Sequence, residues 1–177
     1  KAAMPDFAKD IKLNLSSLAS DETLSAQQLW GSFLACAIAT RQPEVIAAVE
    51  AEVHGKLSPE AINAARAAAV IMAMNNVYYR SVHIMGNKDY QAMPAKLRMN
   101  ILAGHGVDKI DFELWALAVS AVNGCGMCLD AHEAQLAKHG MSKEQMQTAL
   151  RIAATVNAAA TAIDAVRNMP QQMAQAA

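Results

Sequence analysis

The sequence predicts an all-α protein, a single domain over 1–177 folded from two similar helical halves, and three observations carry that prediction. The apolar fraction is 54% and comes largely from Ala, Met, Leu, Ile and Val, while aromatic residues make up only 5%. That balance suits closely packed helices better than strands. Helix-start signals, prolines at first-turn positions and Ser-x-x-Gln boxes, punctuate the chain at intervals of one helix each. A chain of 177 residues also buries about two thirds of its unfolded surface. It needs neither a metal nor a structural disulfide to fold.

Pro5 suits the first turn of a helix through about Ser16, with Phe7, Ile11 and Leu15 recurring every fourth residue. Ser25 and Gln28 form a capping box for a second helix that runs to about Thr40. Pro43 opens a third, which stops near Gly55. Ser58 caps a fourth with Pro59 at its first position, and apolar residues carry it to Ile84, before Gly86. Pro94 is expected to open a short helix through Leu102. Gly104 and Gly106 mark a turn, after which Asp108 or Asp111 caps the helix that bears Glu113. Asn123-Gly124 breaks that helix, so Cys125 is read as the start of another, ending at Gly140. Ser142 with Gln145 forms a second capping box for a last helix to about Arg167, before Pro170 and a polar tail expected to fray.

This order of elements occurs twice, roughly over 5–86 and 94–167. Ile11 to Leu15 parallels Leu97 to Ile101 at an offset of 86, and Leu29-Trp30 parallels Leu114-Trp115 at 85. Ser58 and Glu60 match Ser142 and Glu144 at 84. Two helical halves about a pseudo-twofold axis follow. At an offset of 85 the first half has Gln28 for Glu113, Thr40 for Cys125, Pro43 for Cys128 and Ala47 for His132. The framework recurs while these four polar groups are confined to the second half, which separates candidate chemistry from scaffold.

Formal net charge is -1 with both signs interspersed, so there is no electrostatic footprint for nucleic acid or an anionic membrane. The longest uncharged run, Thr23 to Thr40, carries Ser25, Gln27, Gln28 and Ser32 and reads as a buried helix rather than a span. Three cysteines leave one unpaired beside any CxxC, unlike a secreted disulfide scaffold, and a cytoplasmic setting is expected. No signal-peptide pattern is visible, and the chain opens at Lys1.

Cys125-Gly126-Met127-Cys128 sits at a helix start, where free backbone N–H groups and the helix dipole favour thiolate. Lowering a thiol pKa from about 8.5 to about 7 raises the thiolate fraction at neutral pH roughly fifteenfold. His132 follows Cys128 by one turn on the same face, and Glu113 comes from the preceding helix, which gives the nucleophile, base and orienter of an activated thiol. A zinc-stabilised helical binding module is the alternative, with Cys125, Cys128, His132 and Glu113 as donors, although such ligands usually need a second Cys or His pair. Haem attachment requires His where Leu129 stands. Cys36, on an apolar face, reads as an inert core thiol; His54 and His139 precede helix-ending glycines, and His83 and His105 carry no motif. The eleven methionines read as core filler.

Glu113, eleven residues, Cys125-x-x-Cys128-x-x-x-His132, seven residues and Gly140 resemble the signature of the alkyl hydroperoxidase D (AhpD) family, within the carboxymuconolactone decarboxylase-like superfamily. Ala8 to Leu15, Met72 to Tyr79 and Phe112 to Asn123 extend the resemblance over most of the chain. It implies an AhpD-like duplicated helical bundle, a homotrimer, and an antioxidant thiol peroxidase acting on alkyl hydroperoxides. It also implies a redox adaptor that takes electrons from dihydrolipoyl groups on a lipoylated 2-oxoacid dehydrogenase component and reduces the peroxiredoxin AhpC, with no tightly bound cofactor. Under the resemblance Cys128 attacks the peroxide and becomes sulfenic acid. Cys125 supplies a proton, resolves the sulfenic acid as a disulfide and meets AhpC, and Glu113 and His132 match the proton relay. Met127 departs from the pattern, since well-known members carry histidine there, which weakens peroxide reduction more than thiol exchange. A decarboxylase-like activity that does not use the dithiol is the other reading within the superfamily.

Overall fold

The computed structural model describes residues 4–167, and the tail expected to fray beyond Pro170 lies outside them. Eight helices make up the described chain: α1 Lys9–Ala19, α2 Ala26–Thr40, α3 Pro43–Val53, α4 Pro59–Ile84, α5 Asp89–Ala92, α6 Lys109–Asn123, α7 Gly126–Lys138 and α8 Lys143–Arg167. No strand occurs among the described residues, and the all-α prediction holds.

Local signals set most boundaries. Ser25 accepts from the Gln28 backbone N–H while Gln28 bonds back to the Ser25 N–H, and Ser142 and Gln145 do the same before α8. Ser58 caps α4 through the Ala61 N–H with Pro59 at the first position. Asp108 is the cap of α6, bonding the Ile110 N–H at 2.7 Å. Asp111 instead lies one turn inside, where it receives Gln27 at 2.7 Å and Gln28 at 2.8 Å and ties the starts of α2 and α6 together.

Three boundaries depart from the sequence reading. The first helix is entered through a 3-10 turn, Asp6–Ala8, and continues to Ala19. A four-residue helix, α5, forms where none was expected. The helix expected from Pro94 to Leu102 is absent apart from a 3-10 turn, Asn100–Leu102. Pro94 holds Met93 extended, Lys96 adopts a φ of 52°, and so short a stretch without a buried face cannot offset helix nucleation. Ile11 to Leu15 is therefore helical while its sequence counterpart, Leu97 to Ile101, is not.

α2 and α6 run through the centre and separate two apolar clusters. One joins them to α1 and α8 through Leu29, Phe33, Leu117, Ile152 and Val156; the other joins them to α4 through Leu34, Ala65, Ala68, Met72, Phe112 and Trp115. Alanines on α4 allow close approach, and Trp115 is fully buried against Gly31 of α2, its indole N–H donating to the Gln28 carbonyl at 3.2 Å. α8 is long and apolar enough to cross a membrane by length and composition alone. Here one of its faces packs along α1, α2 and α6.

Candidate active site

The break between α6 and α7 places the dithiol. Gly124 takes a φ of 66° and ends α6 in a Schellman motif, with Gly124 N–H to Ala121 and Cys125 N–H to Ser120. Cys125 then serves as N-cap of α7, its carbonyl accepting the Leu129 N–H at 2.9 Å, so α7 itself begins at Gly126. Cys128 lies in the first turn, and the two sulfurs are joined in a disulfide. Their surroundings differ. Cys125 has no exposure, whereas Cys128 is 6% exposed and lines a cleft of about 240 Å³.

His132 and Glu113 meet in the same cleft. The His132 Nδ1–H donates to Glu113 Oε2 at 2.7 Å, with both side chains largely buried. With Nδ1 given to Glu113, Nε2 is the nitrogen left toward the cleft, and it lies 3.3 Å from Met72 Sδ. The ring's two nitrogens thus face Glu113 and Met72; its expected link to Cys128 is the shared cleft rather than a direct bond. The four predicted residues come from α6 and from the start and middle of α7, paired as Cys125 with Cys128 and Glu113 with His132. Cys36 is fully buried on α2, and burial pushes its thiol far above the ordinary range. His105 stacks on Phe112 and His139 bonds the Gln135 carbonyl.

The opposite wall of the cleft comes from residues the sequence reading left as scaffold. α4, in the first half, presents Met72, Asn75 and Tyr79 at helical spacing, and the irregular segment after α5 adds Met99 and Leu102. Phe112 and Met127 complete it. Met72 to Tyr79 already stood out as a family-like stretch, and a pair of asparagines inside an apolar helix was the available signal. Asn76 accounts for half of that pair: it donates to Ser120 Oγ and accepts from Asn123 Nδ2, each at 2.9 Å, and fixes α4 to the end of α6 beside the dithiol.

Such an arrangement can carry thiol chemistry. A disulfide with one reachable sulfur can be opened by an incoming thiolate, and a carboxylate-held imidazole can pass protons beside it. Among the described residues no group of three His, Cys, Asp or Glu side chains is arranged to hold a metal ion.

Comparison with known proteins points the same way. The sequence profile of the Carboxymuconolactone decarboxylase family matches residues 88–169, a span that includes the dithiol and its Glu–His pair. Proteins called alkyl hydroperoxide reductase AhpD are similar over nearly the full length: that of Rhodopseudomonas palustris BisA53 is 62% identical over 165 residues, 93% of this chain and 91% of its own. Those of Hyphomonas neptunium and Maricaulis maris are each 59% identical over 165 residues, covering 93% of this chain and 92% and 95% of theirs. The chain belongs to the AhpD family.

Proposed function

We propose that this protein is a cytoplasmic thiol peroxidase and redox adaptor that uses the Cys125–Cys128 pair to reduce alkyl hydroperoxides and to reduce AhpC, with electrons from dihydrolipoyl groups. One observation carries the reading: the disulfide and the Glu113–His132 pair open on a single apolar-walled cleft, with Cys128 as the sulfur that lines it.

In the oxidised form, a dihydrolipoyl thiolate enters the cleft and attacks Cys128, the reachable sulfur, and Cys125 leaves as thiolate. The second dihydrolipoyl thiol displaces Cys128, giving the reduced dithiol and lipoyl disulfide. In the reduced form, the Cys128 thiolate attacks the terminal oxygen of the hydroperoxide; the S–O bond forms, the O–O bond breaks and sulfenic acid results. His132, held by Glu113, relays a proton to the departing alkoxide. Cys125 then condenses with the sulfenic acid, releasing water and restoring the disulfide. Apolar lining from Met72, Met99, Leu102 and Phe112 suits the alkyl chain of either partner. Transfer to AhpC through Cys125 requires the first turn of α7 to open, because that sulfur is enclosed.

A homotrimer belongs to the same reading. Val70, Val77 and Ile84 form an exposed apolar stripe with seven-residue spacing on α4, a surface that a neighbouring subunit would cover. Light scattering tests it, and a clean monomer would count against it. The zinc-module alternative has no three-donor cluster among the described residues to support it. Replacing Cys125 or Cys128 with Ser should abolish both peroxide and AhpC reduction; wild-type turnover in either variant would end the proposal.

A further inference from the structure

Resting on that reading, we infer that Asn75 is a substrate-binding residue, whose carboxamide oxygen accepts the O–H of the hydroperoxide and holds its terminal oxygen for attack by Cys128. Asn75 is 5% exposed, yet its Oδ1 has no hydrogen-bond partner in the protein, the one buried side-chain polar atom among the described residues so placed. A buried acceptor left unpaired destabilises the fold, and such atoms are rare unless a ligand satisfies them. Its neighbour makes the contrast plain. Asn76 also faces inward from α4, and its amide both donates and accepts.

Asn75 is not an orphan of the deep core, because it lines the same cleft as Cys128, Glu113 and His132. Three and four residues away on its helix, Met72 and Tyr79 line the same wall, so the helical register turns the Asn75 face toward the sulfur-bearing side. The other α4 side chains lining the cleft are Met72 and Tyr79. A hydroperoxide differs from its alcohol product and from a thiol reagent in the O–O–H group, and an acceptor beside the thiolate reads that group.

The proton bookkeeping fits an acceptor. Cys128 thiolate bonds to the terminal oxygen, which keeps its hydrogen and becomes the sulfenic O–H; sulfur is oxidised by two electrons and the O–O bond is reduced. The alkoxide leaves and takes a proton relayed through His132 from the surrounding water. Throughout, the hydrogen bonded to Asn75 Oδ1 is the same one, first on the peroxide and then on the sulfenic acid.

The test uses the full reduced chain and two reactions of one thiolate. Rates of oxidation by tert-butyl hydroperoxide are compared with rates of modification by methyl methanethiosulfonate, which has no O–H, in wild type, Asn75→Leu and Asn75→Ala. Loss of one hydrogen bond in the transition state, about tenfold, is expected in the peroxide rate of both variants, with the methanethiosulfonate rate within about twofold of wild type. Asn75→Leu should melt no lower than wild type, since it removes an unpaired polar atom; Asn75→Ala serves if leucine does not fit. Equal peroxide rates in variants and wild type would overturn this inference alone. A parallel fall in both rates would also overturn it, by assigning Asn75 to the thiolate rather than the peroxide. An inert wild-type protein would instead overturn the peroxidase reading beneath it.

Discussion

Glu113 and His132, nineteen residues apart and on different helices, meet at 2.7 Å beside the disulfide. The carboxylate fixes which imidazole nitrogen carries the proton and leaves Nε2 facing the cleft. His132→Gln should lower peroxide turnover about a hundredfold, the usual scale for a lost general acid–base group. Glu113→Gln should lower it less, because an amide can still orient the ring. Both variants should keep wild-type circular dichroism, and unchanged turnover would remove the pair from the proton relay.

Thiol reactivity should follow burial. In native reduced protein, iodoacetamide should modify Cys128 first and Cys36 only after denaturation, because Cys36 is enclosed and its thiol is held neutral. Peptide mass spectrometry after a timed quench reads the order. Early labelling of Cys36 would contradict the packing of α2.

Gly31 is where α2 admits the Trp115 ring, and a Cβ there would overlap the indole. Gly31→Ala should therefore destabilise the protein by about 1–3 kcal/mol despite the higher helix propensity of alanine. Urea denaturation measures it, and a more stable variant would show that the ring moves freely.

Asp21 shapes the turn before α2. Hydrogen bonds from the Thr23 hydroxyl and backbone N–H, with Arg151 at 3.5 Å, hold its carboxyl below the ordinary value. A lowered folded-state pKa means stability that is present above the unfolded value and lost as pH falls through the folded one. Asp21→Ala should thus cost about 1 kcal/mol at pH 7 and progressively less below about pH 4, approaching zero once the native carboxyl is protonated. Paired melting curves across that range check the sign.

What the sequence disclosed depended on how local the cause was. The boxes at Ser25–Gln28 and Ser142–Gln145 form within one turn, so residue type and spacing sufficed. Leu97 to Ile101 looked like Ile11 to Leu15, but what lies against each segment decides whether it winds, and the Lys96 backbone turns the second away from a helix. The sulfurs and His132 were legible from spacing along α7. Glu113 was singled out by its absence from the first half of the repeat, but its contact with His132 depends on how α6 packs on α7, which spacing does not give. Asn75 was missed because an asparagine in an Ala-rich helix reads as scaffold until the cleft beside it is seen. A helix start by itself does not say which of the two sulfurs is reachable; packing encloses Cys125 and leaves Cys128, to which the resemblance assigned the peroxide step, on the cleft wall.

Peroxide consumption by purified protein with dihydrolipoamide, measured with and without AhpC, tests the central claim most directly. Turnover that requires both cysteines and rises when AhpC is added is the predicted result. Met127, 39% exposed at the cleft, brings no proton-transfer group there, which predicts the larger share of the rate in the presence of AhpC. No peroxide consumption under either condition would contradict the account.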